Sequence, residues 1–374
     1  MKILILTSEF PPNVGGIGNH GYNVALNFAK RGHDVLVIAD SLNQPTESLI
    51  QFSNKQPFQI RWIPRKKITL ITYINRIFQA LRYQKNYDVI LCSGKFSLWT
   101  GAITHFITRR KSLFAVVHGS ELDLKNRWLK AFTFWSLSKM SEIISVSNYT
   151  AQFIPKKVAE NTPISIIPNG ITAEEFQLEI TKPKRKLTGH PSIITLGNVS
   201  QRKGQMNVIS ALPTLLQKFP KLHYHIVGKP SEKESMEKKA NELGILSSIT
   251  FHGMVSRAEL MEKLHGSDIK AMLSDHTPSG SFEGFGIAIL EANYFGVPAI
   301  GSSNSGIADA IDDGKTGFLI DQKNSLQLLN AIENIMNNQL LFSKEAVQWA
   351  EKHDWHFLIQ KYESIAFRTS SKGK

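Results

Sequence analysis

Two series of short apolar runs constrain this chain most. KILILT, DVLVIA, FQIRWI, DVILC, LFAVVH and EIISVS fill the first half; SIITLG, LHYHIVG, SITFHG, IKAMLS, VPAIGSS and TGFLI fill the second. Each is β-branched and bounded by turn residues, the mark of a strand buried on both faces. Between them lie helical periodicities such as Gly16 to Lys30 and Ile71 to Tyr83, whose apolar positions 71, 74, 77, 78 and 81 share one face. In the second series helices are expected from about Lys203, Lys233, Arg257, Gly284 and Ser325. Strand-helix alternation builds a parallel sheet covered on both sides. A chain of 374 residues also exceeds what one core serves, about 250 to 300 residues. The expectation is α/β: two Rossmann-like parallel-sheet domains facing a deep inter-domain cleft, with ligands beyond the carboxyl ends of the strands.

The basic run TKPKRKLTGHP has prolines near both ends and no periodicity, so 181–191 reads as a linker between a first domain, 1–180, and a second, 192–354. Lys344 to Arg368 reads as helical, with Trp349, Trp355, Phe357 and Tyr362 as packing residues and a C-terminal helix from 355. The C-terminal segment 355–374 is expected to complete the first domain, and the final TSSKGK to be disordered.

One cysteine, Cys92, allows no internal disulfide, which fits a reducing compartment. No apolar run approaches the roughly 18 residues of a membrane span, and that of MKILILTSEF is too short for a signal peptide. The chain reads as cytoplasmic, or peripheral on the inner face of a membrane. Its net charge of +13 favours anionic partners. The clusters Arg65-Lys66-Lys67, Arg109-Arg110-Lys111 and Lys125/Arg127/Lys130 lie in the first half, two of them beside apolar residues. They read either as a dock for an anionic membrane surface or as a solvated basic face.

GGIGNHG, Gly15 to Gly21, contains the G-x-G-x-x-G spacing of a dinucleotide site, and Asp40 follows about where a ribose ligand would stand. The context differs: Ser8 to Val14, with Pro11-Pro12, separates the strand from the first glycine. Asp40 then reads as a solvated turn aspartate. The loop Glu9 to Gly18 reads as a flexible lid or as an anion-approaching loop through Gly15 and Gly16.

The segment SFEGFGIAILEANYFGVPAIGSSNSGIADAI is richer. Glu283 and Glu291 flank a helix expected to start at Gly284 to Gly286, where backbone N–H groups and the helix dipole attract phosphate. At 3.6 residues per turn Glu291 lies about 80° around from Glu283, placed for ribose hydroxyls. In LGNVSQRKGQ, Arg202 and Lys203 follow the first strand of the second domain and suit charge building on a leaving diphosphate. In VVHGSELD, His118 follows a strand and suits a sugar hydroxyl. No D-x-D triplet for a diphosphate-bound divalent metal occurs.

GGIG with RGHDVLV, VVHG, ISVSNYT, IPNGI, the RKG loop, and EGFGIAILEA with GVPAIGS resemble, in order, family 4 of the retaining glycosyltransferases (GT4), which have the GT-B fold. The resemblance covers nearly the whole chain. It implies that Gly15 and Gly16 approach the donor phosphate and that His118 and Glu283 contact the sugar. Arg202 and Lys203 would hold the diphosphate, the backbone of Gly284, Phe285, Gly286 and Ile287 would hold phosphate, and Glu291 would bind ribose. Asn198 stands where many relatives carry arginine, and Arg202 is expected to take over that part. Asp309 stands where glutamate is commoner.

The implied activity is retaining transfer from a UDP- or GDP-sugar to a glycan or lipid-linked acceptor, in cell-surface polysaccharide, lipopolysaccharide or glycolipid synthesis. No cofactor, metal or nucleic acid is expected. A non-catalytic nucleotide-sugar-binding protein, an NAD-dependent enzyme and a pyridoxal-phosphate sugar phosphorylase are the alternatives.

Overall fold

The computed structural model describes residues 1–12, 15–42, 44–110, 112–277 and 282–371. They form two compact units: residues 1–169 with 355–374, and residues 170–354. The last three residues of TSSKGK, Lys111 of the second basic cluster, Asn13 and Val14 of the glycine loop, and Ser281 of SFEGFG lie outside the described residues.

In the first unit β1 (Lys2–Thr7), β2 (Asp34–Ser41), β3 (Gln59–Pro64), β4 (Val89–Ser93), β5 (Leu113–Val117), β6 (Glu142–Ser145) and β7 (Ile164–Ile166) form one sheet. Its order is β3-β2-β1-β4-β5-β6-β7, and every pair is parallel. Six of these strands coincide with the apolar runs. β7 is the addition: three half-buried residues between Pro163 and Pro168 at the sheet edge, too short to show a pattern.

In the second unit β8 (Ser192–Leu196), β9 (His223–Val227), β10 (Ile249–Gly253), β11 (Ile269–Met272), β12 (Ala299–Ser302) and β13 (Gly317–Ile320) form a second parallel sheet. Its order is β10-β9-β8-β11-β12-β13. Chain direction across the sheet therefore reverses between β1 and β4, and again between β8 and β11. Such switch points leave a crevice at the carboxyl ends of the central strands, where ligands of these sheets bind. The loops after β8 and β11 carry Lys203 and Glu283.

The boundaries differ from those expected. The first unit closes at Asn169 rather than 180, because residues 170–180 belong with the second: Ile171 N–H donates to the His353 carbonyl at 3.0 Å, and the Phe176 ring meets Tyr294 at 5.2 Å. The stretch 181–191 also lies along the second unit, where Leu187 N–H donates to the Gly266 carbonyl at 3.0 Å.

Lys344 to Arg368 is helical in two pieces, Gln339–Lys352 and Trp355–Ser371, the second starting where the C-terminal helix was expected. Between them Asp354 Oδ2 accepts the Ala173 N–H at 2.9 Å. The second helix runs through Thr369 to Ser371, which were expected to be disordered. Its Trp355 and Tyr362 are buried, and Glu363 accepts Arg31 Nη2 and pairs with His33, each at 2.7 Å.

Gly204 is the hinge on which the Arg202-Lys203 loop enters its helix, Gln205–Lys218. Its φ is +75°, and a Cβ there would lie 1.7 Å from the Leu273 carbonyl oxygen. Gly204→Ala is therefore expected to destabilise the second unit by about 2 kcal/mol or more. Calorimetry should show its midpoint lowered by at least about 4 °C; an unchanged midpoint would refute the close approach.

Candidate functional site

Beyond β8, a short turn over Gln201–Lys203 presents two cations. The loop after β11 lies against it: Asp275 N–H donates to the Arg202 carbonyl at 3.1 Å. From the same loop Glu283 offers one carboxylate oxygen, Oε2, to both Arg202 Nη1 at 2.5 Å and Lys203 Nζ at 2.8 Å. The three side chains are largely enclosed, with Lys203 and Glu283 each 15 % exposed. Burial works to raise the Glu283 carboxyl, but Lys203 and Arg202 outweigh it and hold it below the usual carboxylate range. Two cations share one anion, so the cluster keeps a surplus positive charge at the sheet edge.

The following helix begins at Ile287, not at Gly284, and Gly286 opens it with φ +97°. Glu283 thus precedes the helix, and the 80° relation to Glu291 does not apply. Among the described residues no side chain caps this end, and the first N–H groups of a helix have no partner within it. Phe285 is buried. The loop GSSNSG explains how the turn is held. Gly306 N–H donates to the Glu283 carbonyl at 2.9 Å, and a Cβ on Gly306 would lie 2.1 Å from the Gly284 oxygen.

Two expected donor residues are otherwise engaged. Glu291 accepts Arg257 Nη1 at 2.8 Å, and Arg257 also reaches Glu175 at 3.4 Å. Asn198 is exposed and accepts from Ser231 Oγ at 2.7 Å. Asp309 lies in the short turn Gly306–Asp309.

In the first unit His118 follows β5, half-buried, with Nε2 3.0 Å from Ser93 Oγ at the end of β4. Burial pushes its imidazole down to about 4. The His20 ring packs 4.8 Å from it, wholly buried, with Nε2 2.8 Å from Tyr362 Oη. A carboxylate also stands beside His118, which the sequence reading lacked. Glu121, 1 % exposed, accepts the His118 backbone N–H at 2.7 Å and braces the loop.

Gly15 and Gly16 open the helix Gly16–Lys30. A Cβ on Gly15 would lie 2.6 Å from Glu9 Oε2, whereas Gly16 faces open space. Gly18, which the broken dinucleotide motif left without a part, packs on the Phe10 backbone: a Cβ there would lie 3.1 Å from the Phe10 nitrogen. Asp40 is no solvated turn residue. It is 3 % exposed and clamped by Arg65 Nε at 3.1 Å and by Arg76, whose Nε lies at 2.9 Å.

Sequence reasoning missed His20, Glu121 and Lys270. The first two lie within or next to quoted motifs but gain meaning only from partners distant in sequence or from the backbone. Lys270 was hidden inside a strand pattern. A lysine in the apolar run IKAMLS was the available signal.

Comparison with known proteins matches residues 14–175 to the model of Glycosyltransferase Family 4 and residues 176–353 to that of Glycosyl transferases group 1. A GDP-mannose-dependent alpha-(1-6)-phosphatidylinositol monomannoside mannosyltransferase of Mycobacterium tuberculosis is 22 % identical, over 98 % of this chain and 96 % of its own. Two solved structures share the fold. Anabaena HepE in complex with UDP-glucose has TM-score 0.73 and 20 % identity, covering 99 % of this chain and 100 % of its own. Sucrose-phosphate synthase of Thermosynechococcus elongatus has TM-score 0.80 and 16 % identity, covering 99 % of each chain.

The surroundings of His118 set its titration. NMR of the imidazole should give an apparent value of about 4, against about 6.5 in the unfolded chain. The folded value is the lower one, so the neutral ring supports the fold above about pH 6.5 and that contribution falls as the pH drops towards 4. Titration near 6.5 would contradict the enclosure of this ring.

Proposed function

The chain belongs to glycosyltransferase family 4 and is a glycosyltransferase of the GT-B type, and from that premise we propose that it transfers a sugar from a nucleoside-diphosphate sugar with retention of configuration. The observation that carries this reading is the largely enclosed Arg202-Lys203-Glu283 cluster at the β8/β11 switch point, next to a helix start without a side-chain cap among the described residues.

Arg202, Lys203 and the first N–H groups from Gly284 to Ile287 would receive the diphosphate. As the bond between the anomeric carbon and the phosphate oxygen breaks, negative charge grows on the diphosphate, and fixed cations stabilise that state most. The acceptor oxygen bonds to the anomeric carbon on the face the phosphate leaves. The departing phosphate oxygen takes the hydroxyl proton, and the products are a glycoside and a nucleoside diphosphate. Arg202 and Lys203 supply the charge that a divalent ion supplies elsewhere. Glu283 orients both cations and meets the sugar. Glu291 turns from Arg257 to the ribose, and His118, neutral at pH 7, accepts or donates a hydrogen bond to a sugar hydroxyl.

Relatives suggest the substrates. HepE was solved with UDP-glucose, and the mannosyltransferase is GDP-mannose-dependent and named for a phosphatidylinositol monomannoside acceptor. We place this chain with enzymes using a UDP- or GDP-sugar and a glycan or lipid-linked acceptor in cell-surface synthesis.

A lipid acceptor agrees with the first unit's surface. On the helix Thr69–Tyr83 only Thr72 and Ala80 are buried. Of the apolar stripe, Ile71, Ile74 and Phe78 face outward, 46 %, 57 % and 57 % exposed, beside exposed Lys66 and Lys67, while Ile77 and Leu81 are half-buried. Trp128, 85 % exposed, opens a second such helix, Arg127–Leu137. Among the described residues no helix is long and apolar enough to cross a membrane. These faces suit an anionic lipid surface.

Lys203→Ala should lower donor turnover at least about a hundredfold, measured as nucleoside-diphosphate release. NMR of the freshly released or transferred sugar should show the donor's own anomer. Unchanged turnover would remove Lys203 from the site, and an inverted anomer would overturn retention. Vesicles containing phosphatidylglycerol should cosediment the protein at low salt and release it at high salt, with Ile74→Glu weakening the association. No binding at low salt would point to a soluble acceptor.

A further inference from the structure

β11 lies between β8 and β12, where both neighbours supply only uncharged residues opposite it: Lys270 faces Ile194 on one side and Ala299 on the other. Ile269, Ala271 and Leu273 point into the core with Val208, Leu212 and Ile332. Strand alternation therefore sends Lys270 and Met272 to the opposite face. That face lies under the start of the helix Ile287–Tyr294, since the Met272 sulfur is 3.6 Å from where a Cβ on Gly286 would stand. Lys270 has no exposed surface, and its Nζ has no hydrogen-bond partner among the described residues. A buried ammonium without a partner is costly, so its retention inside an apolar strand calls for a use.

The charged groups around it are those of the candidate site. Lys203 comes from the turn after β8, Glu283 from the loop before the helix, and Glu291 from the helix itself. Arg202 and Arg257 stand behind these glutamates as their partners, and β8 and β12 contribute no titratable group. Burial, with Lys203 adding to it, pushes the Lys270 ammonium down to about 7, while Glu291 and Glu283 pull the other way.

Within the protein these groups offset one another unevenly. Glu283 has two cations, and Lys203, one of them, repels Lys270. A bound diphosphate would draw Arg202 and Lys203 to its own oxygens, leaving Glu283 enclosed with less compensation and Lys270 relieved of its repulsion. We propose that Lys270 is a positioning residue of the donor site, whose Nζ takes a proton from solvent when a diphosphate binds and replaces Arg202 and Lys203 as counter-charge to Glu283. This rests on the donor-site reading above. Lys270 keeps Glu283 ionised and in place while both cations serve the phosphate.

The test is titration calorimetry of the whole chain with UDP, GDP and ADP at about pH 8, where the phosphates are fully ionised and a group near 7 is mostly neutral. Repeating it in buffers of different ionisation enthalpy counts the protons exchanged. The wild type should take up most of one proton with the nucleotide that binds. Lys270→Met, which removes the buried amine at similar volume, should take up none and bind about tenfold more weakly. Lys270→Arg, permanently charged, should bind without proton uptake. Binding by the wild type with no proton uptake overturns the proposal and leaves the donor-site reading intact. Uptake retained in Lys270→Met does the same. Failure of all three nucleotides to bind the wild type overturns both.

Discussion

A single carboxylate oxygen, Glu283 Oε2, joins the two halves of the second unit's switch point. It ties the turn after β8 to the loop after β11 through Arg202 and Lys203. Breaking a mostly buried pair leaves a charge without compensation, which is far more costly than never having made the pair. The loops around it are fixed to match. Gly204 passes beneath the Leu273 carbonyl, and Gly306 lies against Gly284 and donates to the Glu283 carbonyl. The cluster is thus held by the chain's own contacts, and fixed charge is what makes such groups effective on a leaving group.

The first unit solves a different problem. His20 and His118 are kept neutral by enclosure, and Glu121 accepts a backbone N–H rather than serving chemistry. A neutral imidazole at the end of a strand offers hydrogen bonds without adding charge. The basic character of this unit is likewise partly internal. Arg65 and Arg76 both serve Asp40, leaving Lys66 and Lys67 of the first basic cluster towards solvent.

Strands were legible wherever a run was long enough to show burial on both faces, because parallel sheets demand it. β7 failed that condition. The candidate site was legible through the order of its motifs along the chain, since Arg202 and Lys203 follow β8 and Glu283 with its glycines ends the loop after β11. What stayed hidden depends on contacts between distant positions. Asp40 reads as exposed until Arg65 and Arg76 close over it, and Lys270 reads as one polar residue in a strand until its orphaned amine is placed. The break between the last two helices falls at Asp354, whose Oδ2 accepts the N–H of Ala173, a contact from a distant position.

That ending has a consequence for how the chain comes to be folded. The second unit is continuous in sequence, whereas the first takes its last helix from residues made after the second is complete. As the chain leaves the ribosome, the seven strands of the first sheet are available early, but His20 and its neighbours stay uncovered until Trp355 and Tyr362 emerge. The second unit can close on itself during that wait. The first sheet is thus the earlier made and the later finished, and its open side is the stretch of the newborn protein that most needs shielding.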